Sequence, residues 1–169
     1  MVPTHGSVIT CGMVGQVYAA RGPYACLMAV RMELSRVLIR DLSDMQIIEL
    51  REVAPDGADE AAARTFPIVI GLAEAQAIER RLKGVVISRP QTHDLLANII
   101  SQLGGTLRSI TVVDLKDHTF FATLDIALEK GELLHVDCRP SDAIAVGIAG
   151  DVPIFVAEHV LEAASKETP

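Results

Sequence analysis

Three apolar runs follow one another in the second half of the chain: "TLRSITVVDL" (106–115), "TFFATLDIAL" (119–128) and "ELLHVD" (132–137). Only "KDH" and "EKG" separate them. β-prone runs joined by links this short read as hairpins, so the segment predicts an antiparallel meander. The first half repeats the theme. "ELSRVLIRDL" (33–42) alternates Val37 and Ile39 with Arg36 and Arg40, and "MQIIELREV" (45–53) follows the turn "SD". "APDGADEAAAR" (54–64) reads as a loop whose Ala run can form a helical turn, and "TFPIVIG" (65–71) as a strand whose Pro67 suits an edge or an early position.

Helices fill the gaps. "LAEAQAIERRLKG" (72–84) carries Leu72, Ala75, Ile78 and Leu82 as one apolar stripe, with Gly84 just past its end. Residues 92–103 place Leu95, Leu96, Ile99, Ile100 and Leu103 at helical spacing, and Gly104-Gly105 stops the run. A helix over 140–149, a strand "VPIFV" (152–156) and a helix 158–165 close the chain. The expected fold class is α+β: hairpin and meander strands with helices packed on one face, in a single domain.

With 169 residues the chain can bury one sizeable core. Only 4% of its residues are aromatic and none is Trp, so aliphatic side chains must fill that core. No apolar run reaches the roughly 18 residues of a membrane span, and no membrane partner is expected. The formal charge of −7 opposes a broad nucleic-acid footprint and leaves room only for a locally basic cleft. Cys11, Cys26 and Cys138 form no CxxC pair, which argues against zinc, and a reducing cytoplasm is the expected setting. Residues 1–31 contain no acid and, of Lys and Arg, only Arg21 and Arg31. They read as an N-terminal extension, weakly ordered or a mis-assigned start, ahead of a domain at 32–165 and a tail at 166–169.

Two strand-to-helix corners share one grammar. "VVISRPQTHDLLANII" (85–100) and "LLHVDCRPSDAIA" (133–145) both run from apolar residues through Arg-Pro and a hydroxyl residue to Asp and a helix. Part of this is helix-start hardware: Pro in the first turn, Ser or Thr as a cap, Asp against the positive helix end. Capping does not explain Arg89 and Arg139, since a helix start repels cations, nor does it call for His93. His93 beside Asp94 suits an oriented acid/base pair, and arginines near free helix-start amides suit a phosphate. A base, carboxylates and guanidinium groups together fit phosphodiester cleavage.

"RPQTHDLL" and "VDCRPSDAIA", with "FPIVIGLAEAQAI", "FFATL" and "VPIFV" in order around them, resemble the bifunctional nuclease domain family over about 34–162. The resemblance implies a compact α+β domain and a nuclease of low sequence specificity acting on RNA and DNA. Matched residue by residue, it implies catalytic roles for His93, Asp94, Asp137 and Asp142, and substrate contacts for Arg89, Thr92, Arg139 and Ser141. Glu74 matches a family acid, although a solvated helix face is the plainer reading. Cys138 and Ala149 depart from the family pattern, the first where a small non-thiol residue is usual and the second where a basic one is frequent. Asp94, Asp137 and Asp142 offer oxygen ligands for Mg²⁺ or Mn²⁺, and self-association into a homo-oligomer is expected. Two other functions fit the residues: a non-catalytic nucleotide- or anion-binding regulatory module, and a structural oligomer held by Arg–Asp contacts.

Overall fold

The computed structural model describes residues 28–40, 43–54, 63–129 and 131–167. Residues 1–27, most of the 54–64 loop with Ala61 and Ala62 of its Ala run, and the last two residues lie outside them. Strands β1 (Ala29–Leu38), β2 (Met45–Glu52) and β3 (Thr65–Gly71) form two consecutive antiparallel pairs. Period-two burial is plain on β3, where Phe66, Ile68 and Ile70 are buried and Thr65, Pro67 and Val69 are exposed. Pro67 is tolerated because β3 is an edge of the sheet. Gln46, near the start of β2, is fully buried, and its amide is satisfied by the Arg40 N–H at 2.5 Å and the carbonyls of Arg40 and Ser43.

Helix α1 (Leu72–Leu82) leads to α2 (Thr92–Gln102), and the meander follows as β4 (Gly105–Lys116), β5 (Thr119–Leu128) and β6 (Leu133–Cys138). The β4–β5 hairpin turns through Asp117 and His118, both at positive φ as a type I′ turn requires. Then come α3 (Pro140–Gly147), a 3-10 turn at Ile148–Gly150, β7 (Ile154–Ala157) and α4 (Glu158–Glu167). The sheet order is β3-β2-β1-β7-β4-β5-β6. The fold is therefore α+β, and β7 joins its two antiparallel halves, running antiparallel to β1 and parallel to β4.

The sheet curls strongly. Phe66 on β3 and Phe120 on β5 sit with ring centroids 5.7 Å apart, although four strands lie between theirs in the sheet order. Inward residues of both halves share one aliphatic cluster with Ala75 and Ile78 of α1, Ile144 of α3 and Val160 of α4. Helix α3 approaches β4 closely at Gly147, where a Cβ would meet Ile110 at 2.7 Å.

The apolar stripe of α2 meets the core only in part: Ile100 packs against it, while Leu95, Leu96 and Ile99 are 42–50% exposed.

The sheet also begins earlier than the sequence suggests, since Ala29, Val30 and Arg31 pair with Ala157, Val156 and Phe155 of β7. The Met28 carbonyl accepts the first N–H of α4, from Glu158, at 2.8 Å. A chain starting at Met32 is therefore expected to be less stable than one starting at Met28 by about 3 kcal/mol, at roughly 1 kcal/mol per lost hydrogen bond. Equal melting temperatures for the two chains would show that these pairs contribute nothing.

Candidate active site

The two Arg-Pro corners meet. Helix α3 starts with Arg139 as its N-cap in extended conformation and Pro140 in its first turn, so Asp142 projects from that turn. Helix α2 starts after Gln91, and His93 Nε2 lies 3.3 Å from Asp142 Oδ1. Arg139 donates to both Asp142 oxygens, from Nε at 2.7 Å and Nη2 at 3.1 Å. Its Nη2 also lies 2.8 Å from Oε1 of Glu74, which comes from the first turn of α1. A chain Glu74–Arg139–Asp142–His93 thus ties the N-terminal turns of three helices together. The Glu74 carboxylate folds back over Gly71, where a Cβ would collide with it.

Burial pushes the Asp142 carboxyl up, but hydrogen bonds and charge from Arg139 and His93 outweigh this and hold it below the usual aspartate range. The same contact, with Asp142 foremost, raises Arg139. An ionised Asp142 can only accept, so this contact orients the imidazole with Nε2 as the donor. Arg139 is 65% exposed against 14% for His93, so Arg139 is the member of the chain most open to a ligand. Asp137, Arg139 and Asp142 line a groove of about 510 Å³ whose other walls include Leu96, Phe121 and Val136. Cys138 also lines it. Burial first, then the charges of Asp137 and Asp142, pushes its thiol up to about 12, so no thiolate nucleophile is present at neutral pH.

Asp94 is placed otherwise than the His93–Asp94 pairing suggests. Neighbouring residues on a helix point about 100° apart, so Asp94 turns away from His93. It accepts the Gln91 N–H at 2.9 Å, completing a capping box, and it receives Arg80 Nη2 at 3.0 Å and Arg81 Nη2 at 2.6 Å. Burial raises its carboxyl, but the Gln91 amide and the charges of Arg81 and Arg80 bring it below the usual range. Arg89 and Thr92 are exposed just before and at the start of α2, and Asp137 is exposed at the end of β6. Ser141 is 6% exposed within α3 and does not line the groove. Among the described residues no three His, Cys, Asp or Glu side chains converge as metal ligands would. Asp94, Asp137 and Asp142 therefore do not form an assembled donor set for Mg²⁺ or Mn²⁺, since two arginines hold Asp94 and Arg139 holds Asp142.

Glu74, Arg80 and Arg81 carry more than the sequence suggested. Arg81 is 5% exposed on its side chain and also donates to the Val146 carbonyl at 3.0 Å. A signal was present: Arg81 stands three residues after Ile78, on the apolar stripe of α1, where a charge needs a partner. His135 belongs elsewhere. Its Nδ1 is 2.7 Å from Asp125, a buried carboxylate that also accepts hydroxyl donors from Ser109, Thr111 and Thr123.

Residues 58–169 match the bifunctional nuclease domain. The chain belongs to that family. An uncharacterized protein of Mycobacterium tuberculosis is 35% identical over 133 residues, covering 79% of this chain and 74% of the relative. Bifunctional nuclease 1 of Oryza sativa subsp. japonica is 21% identical over 122 residues, and bifunctional nuclease 2 of Arabidopsis thaliana is 23% identical over 104. The matches cover 68% and 60% of this chain, but only 37% and 32% of the plant proteins. In this member of the bifunctional nuclease domain family, no helix among the described residues is long and apolar enough to cross a membrane.

Proposed function

We propose that the chain is a nuclease of low sequence specificity that hydrolyses phosphodiester bonds in RNA and DNA at the junction of α2 and α3. The observation that carries this is the contact between the two corners, with His93 against Asp142 and Arg139 at the groove surface. In this reading His93 accepts the proton of the attacking water at Nδ1 as the water oxygen bonds to phosphorus, the P–O bond to the leaving sugar oxygen breaks, and that oxygen takes a proton from the imidazolium or from solvent, while Asp142 holds Nε2–H. Arg139 faces the phosphate, and its guanidinium offsets charge developing on the phosphoryl oxygens. In the same reading Arg89, exposed before α2 and without an ion-pair partner among the described residues, meets a flanking phosphate.

A second reading is a non-catalytic nucleotide- or anion-binding module. One observation favours a non-catalytic role: Glu74 and Asp142 both engage Arg139 and together more than neutralise it, so a phosphate must displace a carboxylate from it and the guanidinium offsets little of the charge that develops in cleavage. The purified full chain, incubated with labelled single-stranded RNA and DNA, separates the two. Arms containing Mg²⁺, Mn²⁺ or chelator cover any divalent ion that the side chains bind after rearrangement. Cleavage of both polymers that tracks the protein through purification is the expected result. No cleavage in any arm overturns the nuclease reading, and saturable nucleotide binding without cleavage selects the module.

A further inference from the structure

Helix α2 is an anomaly of packing. Of its large apolar residues only Ile100 packs against the core; Leu95, Leu96 and Ile99 stay exposed, and Leu103 just past its end is 77% exposed. Beside it β6 ends the sheet, and its outer edge pairs with no strand among the described residues. Leu134 and Val136 on that strand are 37% and 43% exposed. The two surfaces are continuous, because Leu96 of α2 and Val136 of β6 line the same groove. Leu95, Leu96, Ile99, Leu103, Leu134 and Val136 together expose on the order of 500 Å² of apolar surface, near the top of the range for a monomer's largest patch. That is more than half of the roughly 800 Å² per partner in a standard interface.

The charge pattern selects the occupant. Residues 95–103, "LLANIISQL", carry no charged side chain. A nucleic acid or an anionic membrane would need cations here. A neutral apolar stripe is complementary to itself, as a twofold interface demands, and an open strand edge can pair antiparallel with its own symmetry mate. We propose that α2 and β6 seat a second copy of this chain, giving a twofold dimer. Leu96 and Val136 also line the groove beside Arg139 and Asp142, so the second copy closes one side of the candidate active site.

The test is mass. Sedimentation equilibrium of the full chain over a wide concentration range is expected to give twice the chain mass. Ile99→Asp and Leu103→Asp, made separately, place like charges against their mates across the axis and are expected to weaken the dimer by roughly a hundredfold or more. Far-UV circular dichroism should be unchanged in both, since neither side chain is buried in the monomer. A parent that is monomeric at every concentration overturns the proposal. So does a dimer whose dissociation constant neither substitution changes. The measurement involves no cleavage, so its outcome is independent of the nuclease reading.

Discussion

His93→Ala is expected to lower cleavage of RNA and DNA by roughly 10²–10⁴-fold, the span that a positioned acid/base group contributes. The fold should persist. His93 is 14% exposed but lies outside the aliphatic core cluster, so truncating it opens no cavity there, and melting should stay near the parent value. Asp142→Asn keeps the shape and a hydrogen-bonding oxygen but removes the charge that faces both His93 and Arg139. A smaller loss is expected there. If the pair acts as a unit, the double variant will be little worse than His93→Ala alone. A folded His93→Ala protein that cleaves at the parent rate would falsify the role of His93 and shift attention to Arg139 and Asp137. Stability and activity lost together would instead mark His93 as a packing residue.

The largest stability effect is expected at Asp94. Asp94→Ala leaves Arg80 and the nearly buried Arg81 without their shared carboxylate and removes the cap on the Gln91 N–H. Removing one member of a largely buried ion pair costs about 3 kcal/mol or more, or close to 10 °C of melting temperature in a chain of this length. Asp94→Asn should cost less, because the amide can still cap. The pH dependence carries a sign. The folded Asp94 carboxyl is held below its unfolded value of about 3.9, so its contribution is complete above that value and is lost as pH falls through the folded pKa. The stability gap between parent and Asp94→Ala should therefore narrow on acidification from neutral pH toward 3. A gap that does not change with pH would show that neither the ion pairs nor the charged cap contributes, and that the loss comes from packing.

Much of the fold was legible because its signals are local. The strands 65–71 and 119–128 occupy the residues the sequence indicates. Gly84 and Gly104 take the positive φ that ends α1 and α2. The place of β7 was not legible. Four apolar residues carry no period that names their neighbours, and β1 and β4 accept them only once the two antiparallel halves exist. The stripe of α2 misled for a related reason: periodicity shows that a face is apolar and says nothing of whether it meets the chain's own core. At the site, the corners and their residue types were visible, and the assignment of partners was not.

By itself the sequence determined the elements, the aliphatic core and the two corners that bring His93, Arg139 and Asp142 to helix starts, since turn chemistry and period act within a few residues. Only the tertiary structure decided that His93 meets Asp142, forty-nine positions away, and not the adjacent Asp94. The reason is geometric. One step along a helix rotates a side chain by about 100°, so Asp94 is swung onto Arg80 and Arg81 of α1, while the packing of α2 on α3 brings Asp142 to the imidazole.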